Sequence, residues 1–148
     1  MQRWFGSAGL CMNENGHLLM VLQGTPEEKK TWSIPSGGKE HNETFEECCA
    51  REIEEETGYS AEIIEEIKVK IRIYEHLNLS AEVHYFLVKI VGGERKFQDP
   101  DNLIYDIAWK TIDEIKALDL TYPEDKDFLI SYITEVFQSD TLYYLNYC

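Results

Sequence analysis

The alternation of hydrophobic and polar residues predicts short strands interrupted by helices. Residues 5–12 and 18–22 are apolar runs, and the polar segment 13–16 between them reads NENG, which is typical of a β-hairpin. Residues 32–34 predict a further brief strand, which the turn sequence PSGG at 35–38 ends. The first third of the chain is therefore predicted to be mainly β-structure.

The pattern beyond residue 60 predicts three more strands. Residues 63–74 alternate strictly near their end, which predicts one buried apolar face and one exposed basic face on this strand. The two sets are Val69, Ile71 and Ile73 against Lys68, Lys70 and Arg72. Residues 83–91 are predicted to pair with this strand, and residues 104–109 form another strand after a polar loop at 94–102.

Three segments carry helix signals. Thr44 and Glu47 have capping-box spacing, so a helix is predicted to start near Thr44 and to end before Gly58, a left-handed stop. Residues 111–118 predict a short helix and residues 123–137 a longer one, with proline near its first turn. Strands mixed with helices predict an α+β fold, or layered α/β/α, in a single domain over residues 1–148.

The helix beginning at Thr44 has an unusual charge pattern. Residues advance about 100° each in a helix, so Glu52, Glu55 and Glu56 fall within roughly a 100° arc. Glu52 and Glu56 lie beside the apolar stripe that faces the core. Clustered inward carboxylates repel one another and resist desolvation, and a bound hard cation such as Mg²⁺ relieves both costs. The helix therefore predicts a metal site for phosphate chemistry, although an acidic helix is more often a solvated face.

Composition and charge limit the function classes. The chain has 148 residues with 43% hydrophobic residues, enough for one packed domain. Its formal charge of −14 argues against nucleic-acid and anionic-membrane binding. The four cysteines lack C-x-x-C spacing, and no segment reads as a signal peptide or a membrane span. We therefore expect reduced thiols and a cytoplasmic protein.

One segment resembles the signature box of the Nudix (MutT-type) hydrolases. The matching positions are Gly37, Glu43 after five residues, and, after seven more, Arg51-Glu52-Ile53-x-Glu55-Glu56-x-Gly58-Tyr59. The lead-in WSIP at 32–35 and the segment AWKTIDEI at 108–115 also resemble that family. Ser36, Asn42 and Tyr59 depart from its usual residues, which bears on loop detail. The resemblance covers most of residues 5–118.

The resemblance implies a Nudix fold, a mixed β-sheet between helices, and a hydrolase. It implies that Glu52, Glu55 and Glu56 bind Mg²⁺ or Mn²⁺ together with the Gly37 carbonyl. The reaction implied is hydrolysis of a phosphoanhydride in a nucleoside diphosphate linked to a further group, with a metal-activated water attacking phosphorus. Either Glu55 or Glu56 could take the proton from that water.

Supporting roles follow for two further residues of the box. Arg51 is expected to orient a carboxylate through its forked donors. Glu43 is expected to tie the loop or to assist through water. The number of metal ions stays open. Dimerisation is common in that family, so the resemblance also raises a homodimer.

The substrate-binding candidates are Trp32, Arg72 and Tyr74. Trp32 could stack on a base, with packing beside the box loop as an equal alternative. Arg72 could grip a phosphate, although an exposed basic strand face is the commoner role of such a residue. Tyr74 could contact the substrate or simply continue the strand. Nothing in the sequence selects one nucleotide substrate.

Two other functions compete with hydrolysis. A catalytically silent nucleotide-sensing domain is the main alternative, although such family members typically lose box carboxylates and none is lost here. A calcium site at Asp99, Asp101 and Asp106 is disfavoured, because these residues lack the glycine and terminal glutamate of an EF-hand loop. Whether Asp101 or Asp106 adds a ligand or a base to the metal site stays open.

Overall fold

A computed structural model of the chain describes residues 1–97 and 102–137. The strands of these residues are β1 (Gln2–Cys11), β2 (Leu18–Gln23), β3 (Thr31–Ser33), β4 (Ser36–Gly38), β5 (Tyr59–Tyr74), β6 (Leu79–Gly93) and β7 (Ile104–Lys110). The α-helices are α1 (Phe45–Thr57), α2 (Ile112–Ala117) and α3 (Lys126–Phe137), with 3₁₀ turns at Glu75–Leu77 and Pro123–Asp125. These elements divide into two compact units, each with its own sheet.

The first unit comprises residues 1–10 and 35–97. Its sheet has the strand order β4-β1-β6-β5, and β5 and β6 form a long antiparallel hairpin. Helix α1 packs closely on this sheet at Gly9, where an added Cβ would lie 2.7 Å from Ile53 and 3.1 Å from the Cys49 sulfur. Cys49 and Ile53 are buried, so the predicted apolar stripe of the helix faces the core.

The second unit comprises residues 11–34 together with the described residues from 102 onwards. Its sheet has the order β3-β2-β7, with both pairings antiparallel. The first four residues of β2 are fully buried, as expected for a central strand. Helices α2 and α3 contribute the buried residues Ile115, Leu129, Ile133 and Val136.

The first two predicted helices are confirmed by their capping geometry, whereas the third, predicted from residue 123, starts with the 3₁₀ turn Pro123–Asp125 and continues as α3. Thr44 accepts a hydrogen bond from the Glu47 amide, and the Glu47 side chain accepts one from the Thr44 amide, so the capping box is complete. Gly58 ends α1 in the left-handed region at φ 85°. Thr111 caps α2 in the same way as Thr44 caps α1. None of the described helices is long and apolar enough to cross a membrane.

The predicted hairpin of residues 5–22 is wrong in its pairing. The turn forms, since the Gly16 amide donates to the Asn13 carbonyl, but only a single bridge between Met12 and Leu18 follows it. Strand β1 then pairs with β4 and β6, whereas β2 pairs with β3 and β7. The local turn signal is correct, but it does not determine which distant strands each arm joins.

The predicted buried face at the end of β5 is also wrong. Val69, Ile71 and Ile73 are exposed to 42%, 59% and 60%. Helix α1 has 13 residues and spans roughly 20 Å, whereas β5 has 16 residues and spans roughly 53 Å. Because the helix is much shorter than the strand, the outer end of the hairpin extends past the cover that α1 provides. Strict alternation of apolar and polar residues shows that a strand has two different faces, but it does not show whether another element packs on either face.

Replacing Gly58 by alanine tests the left-handed end of α1. An added Cβ would overlap the Glu94 carbonyl oxygen and lie 2.7 Å from the Lys96 Cβ, and the φ of 85° is itself unfavourable for alanine. We expect Gly58→Ala to lower the free energy of unfolding in urea by about 1–3 kcal/mol. Gly92→Ala is the matched control, because its nearest contact would be Ser60 at 3.8 Å. Equal stabilities for the two variants would contradict this account.

Candidate metal centre

Helix α1 presents three glutamates on the side that faces β4. The side chains of Glu52 and Glu55 are 14% and 36% exposed, and Glu56 is buried at 7%. Glu54 lies on the opposite side of the helix and is exposed. The helical phase predicted from the sequence is therefore confirmed, and the three carboxylates are the inward members of an acidic helix.

Gly37 lies directly against the Glu52 carboxylate. It belongs to β4, which pairs antiparallel with β1 so that Gly37 is opposite Ser7. A Cβ added at Gly37 would overlap the carboxylate carbon and both oxygens of Glu52. Glycine is therefore required by this close approach. The contact joins β4 to the third turn of α1.

Arg51 uses all five of its N–H groups within this cluster. Nε and Nη2 donate to the two oxygens of Glu43 at 2.7 and 2.9 Å, which is a bidentate pair. Nη1 donates to Glu52 Oε1 at 2.8 Å and to Glu55 Oε2 at 3.1 Å. The remaining donor of Nη2 reaches the Gly38 carbonyl at 2.9 Å. One guanidinium thus fixes three carboxylates and the β4 backbone together.

The charges of this cluster shift one another's pKa values. The hydrogen bonds from Arg51 hold the pKa of Glu43 below its usual range and, in return, raise the pKa of Arg51. Burial raises the pKa of Glu52, and this effect exceeds the opposing hydrogen bond and charge of Arg51. A carboxylate whose ionised form is disfavoured by burial gains most from a nearby cation.

The buried Glu56 is held from the other side of the cluster. The backbone amide of Ser36 donates to Glu56 Oε1 at 3.2 Å. No sequence pattern reveals this contact, because it joins a residue of β4 to a side chain 20 positions later. The carbonyl of Gly38 was likewise not foreseen as an acceptor for Arg51. Backbone groups of β4 therefore contribute as much to this geometry as the side chains do.

The Gly37 carbonyl, expected as a further ligand, has a neighbour of its own. The Cys48 sulfur lies 3.6 Å from it in hydrogen-bonding geometry. Burial raises the pKa of Cys48, so this residue stays a thiol that can donate. Cys11, Cys48 and Cys49 are buried thiols, as expected for reduced cysteines, and Cys148 lies outside the described residues.

The donor set fits a hard divalent cation, although the side chains are not gathered around one point. Within residues 1–97 and 102–137, no three acidic, histidine or cysteine side chains are grouped as a metal site. Glu52 and Glu55 each give one oxygen to Arg51, and among described residues nothing donates to Glu52 Oε2 or Glu55 Oε1. These second oxygens are the donors that Mg²⁺ or Mn²⁺ prefers. The Arg51 guanidinium does not bind these two oxygens.

Arg72 and Tyr74 lie away from this cluster. The Arg72 guanidinium sits 5.1 Å from the centre of the Tyr74 ring. Phe45 at the start of α1 stacks on His84, which is opposite Val69. Arg72 lies three residues beyond Val69, and Glu52 lies seven residues along the helix in the other direction, so about 20 Å separate them. The structure does not bring these two candidates to the carboxylates.

Trp32 and Asp106 belong to the second unit. Trp32 is half-buried in β3, and the Lys110 ammonium lies 4.2 Å from its ring centre. Asp106 lies in β7, where its Oδ1 accepts a hydrogen bond from the Ile107 amide at 2.8 Å. Asp99 and Asp101 lie outside the described residues. The roles suggested for all four residues stay predictions.

Replacing Arg51 by methionine tests the network. Methionine keeps much of the apolar stem but leaves Glu43, Glu52 and Glu55 without their shared cation. We expect the free energy of unfolding in urea without metal to fall by about 3 kcal/mol. Lys116→Met, which removes an exposed ion pair with Asp113 at 3.9 Å, should change it by less than about 1 kcal/mol. Similar losses in both variants would contradict a central role for Arg51.

Comparison with known proteins identifies the family to which this geometry belongs. A "Putative 8-oxo-dGTP diphosphatase" of Bacillus subtilis is 33% identical over 89 residues, covering 60% of this chain and 55% of that protein. An "ADP-ribose pyrophosphatase" of Methanocaldococcus jannaschii is 32% identical over 95 residues, covering 62% of this chain and 53% of that protein. The chain thus spans little more than half the length of these two relatives.

The fold has clear counterparts among solved structures. A "NUDIX hydrolase" from Nitrosomonas europaea superposes with a TM-score of 0.75 over 90% of this chain and 87% of that one, at 21% identity. The expected α+β Nudix fold is therefore confirmed. The model of the NUDIX domain matches residues 5–132, well beyond the box itself. The chain belongs to the NUDIX domain family.

Proposed function

We propose that the chain is a Mg²⁺- or Mn²⁺-dependent hydrolase of a phosphoanhydride in a nucleoside diphosphate linked to a further group. The observation that carries this proposal is the convergence of Glu52 and Glu55 on Arg51, with Glu52 pressed against Gly37. Glu43, Glu52 and Glu55 bind one guanidinium there, and a Glu40 oxygen lies 3.7 Å from it, so the cluster keeps a negative charge that a divalent cation would balance. No box carboxylate is missing.

In this proposal the side chains of the protein bind the metal ion, orient one another and accept one proton. Glu52, Glu55 and Glu56 would hold the cation together with the Gly37 carbonyl. When bound, the ion would neutralise phosphate oxygens and lower the pKa of a water. Arg51 binds one carboxylate oxygen of Glu52 and one of Glu55. Because this fixes the rotamer of each glutamate, the direction of its second oxygen is fixed as well.

Glu43 and Ser36 support that arrangement from outside. Glu43 orients the guanidinium through two hydrogen bonds, so it acts on the site through Arg51. The Ser36 amide holds one oxygen of the buried Glu56. Glu55 is the most exposed of the three inward glutamates, which favours it over Glu56 as the group that takes the proton from water.

The substrate class in this proposal comes from the relatives' names. One is named for 8-oxo-dGTP and another for ADP-ribose. Both compounds contain a nucleoside diphosphate linked to another group, so we propose that shared unit and no single compound. The formal charge of −14 supports a small nucleotide as the partner over nucleic acid or an anionic membrane. A cytoplasmic location and a homodimer remain part of the proposal.

Glu56→Gln tests catalysis against its matched control Glu54→Gln. Both variants remove one negative charge from α1, but Glu54 is exposed on the other side of the helix. We expect Glu56→Gln to lower kcat/KM by at least about 100-fold with Mg²⁺, and Glu54→Gln to stay near wild type. The assay measures product release from nucleoside triphosphates, nucleotide sugars and dinucleoside polyphosphates. Near-wild-type turnover by Glu56→Gln would overturn the assignment.

Metal binding can be tested without any substrate. A cation that binds only the folded state raises stability by about 2.7 kcal/mol at 100 times its Kd. We therefore expect Mg²⁺ or Mn²⁺ to raise the Tm of the wild type and of Glu54→Gln, but not of Glu52→Gln. Metal stabilisation without hydrolysis of any nucleotide in the panel would instead favour the catalytically silent sensing domain.

A further inference from the structure

His84 lies between two carboxylates on the face of the sheet that carries α1. Its Nδ1 is 2.5 Å from Glu66 Oε1, and its Nε2 is 2.8 Å from Glu82 Oε2. A neutral imidazole has only one N–H, whereas both ring nitrogens of an imidazolium donate. Since both neighbours are acceptors when ionised, the geometry fits the protonated ring. This cluster plays no part in the metal centre described above.

The His84 ring also stacks on the first residue of α1. Its centre lies 3.6 Å from that of Phe45, with an angle of 19° between the two planes. A cation at this distance from an aromatic face is attracted by the ring as well as packed against it. Protonation of His84 therefore strengthens its contact with Phe45 and with both carboxylates together.

Phe45 is the anchor of the helix start. The Ser7 hydroxyl donates to the Phe45 carbonyl at 2.7 Å, and the Phe5 ring meets the Phe45 ring edge-on at 6.2 Å between centres. The Lys39 ammonium lies 5.7 Å from the centre of the Phe45 ring. Contacts from β1, from the turn before the helix and from β6 thus converge on one residue, on both its ring and its main-chain carbonyl.

We propose that His84, as an imidazolium held between Glu66 and Glu82, is a positioning residue that fixes the first turn of α1 through Phe45. This inference rests on the proposed function, because α1 carries the proposed metal ligands. Glu52 lies two turns beyond Phe45 on the same helix. The segment just before Phe45 contains Glu43, which orients Arg51. A loosened first turn would therefore disturb the arrangement of Arg51 and its carboxylates.

The charged groups around His84 determine how its effect depends on pH. Glu66 faces it from β5 and Glu82 from β6, while α1 presents the uncharged Phe45, whose ring also meets Lys39. Burial alone would lower the pKa of His84, but its hydrogen bonds to Glu82 and Glu66 outweigh this, so the pKa is raised above 6.5. The stabilisation is thus fully present below the ordinary histidine pKa and is lost as pH rises through the raised one.

The double variant Glu66→Gln/Glu82→Gln tests the proposal. It keeps the ring and its stacking but removes the charges that favour protonation. We expect the pKa of His84, followed by NMR of the imidazole, to fall, and the alkaline decline of kcat to move to lower pH with it. Well below both pKa values, kcat should match the wild type. Between them, the variant should be slower by about tenfold, with KM little changed.

Two control variants separate positioning from a general effect of charge or packing. Glu62→Gln/Glu75→Gln removes the same charge from exposed sites outside the His84 cluster and should leave the pH profile unchanged. His84→Phe keeps an aromatic ring against Phe45 but cannot titrate, so its alkaline decline should disappear. A pH profile of kcat identical in wild type and Glu66→Gln/Glu82→Gln, despite a lowered His84 pKa, would overturn the proposal.

A readout independent of turnover keeps this inference distinct from the proposed hydrolysis. Amide hydrogen exchange in the first turn of α1 should speed up in the wild type as pH rises through the His84 pKa, beyond the intrinsic increase that His84→Phe reports. If this occurs while no nucleotide is cleaved, the hydrolase proposal fails, but the proposal that His84 fixes the first turn of α1 is supported. If exchange follows the same pH dependence in the wild type and in His84→Phe, the proposed role of His84 is wrong, whatever the hydrolytic activity.

Discussion

The cluster depends on one guanidinium among the carboxylates of Glu40, Glu43, Glu52 and Glu55. The five N–H groups of Arg51 donate to Glu43, Glu52, Glu55 and the Gly38 carbonyl. Its single charge cannot balance the acidic groups around it, and burial already disfavours the ionised form of Glu52. The hydrogen bonds fix the positions of these side chains, but the cluster keeps a net negative charge. The missing positive charge is what makes the family's chemistry physically reasonable in this chain.

That electrostatic constraint also explains the backbone of β4. Carboxylates can approach the turn only where no Cβ intervenes, which is why Gly37 lies against Glu52. The neighbouring residues then use main-chain groups, with the Ser36 amide on Glu56 and the Gly38 carbonyl on Arg51. Main-chain donors and acceptors do not change rotamer, so strand pairing with β1 fixes them more firmly than side chains could. The geometry of the carboxylate cluster therefore depends on this short strand as much as on helix α1.

Local signals in the sequence predicted this part of the molecule well, and non-local ones did not. The caps at Thr44 and Gly58 and the inward phase of Glu52 depend on residues within a few turns, so the sequence alone reveals them. The partners of β1 and β2, and the exposure of Ile71, depend on which distant elements cover them. The same reason hid the role of His84. Its spacing from Glu82 places both side chains on one face of a strand, but Glu66 and Phe45 join it only through folding.

The Arg51 cluster and the His84 cluster each place a cation between neighbouring carboxylates, but the cations differ. Around Arg51 the positive charge is permanent, because hydrogen bonds raise a pKa that is already far above neutrality. Between Glu66 and Glu82 the cation is a histidine, whose charge changes within the physiological range. A permanent charge suits the group that orients the proposed metal ligands under all conditions. A titratable one at the start of the same helix makes the placement of those ligands depend on pH without altering the ligands themselves.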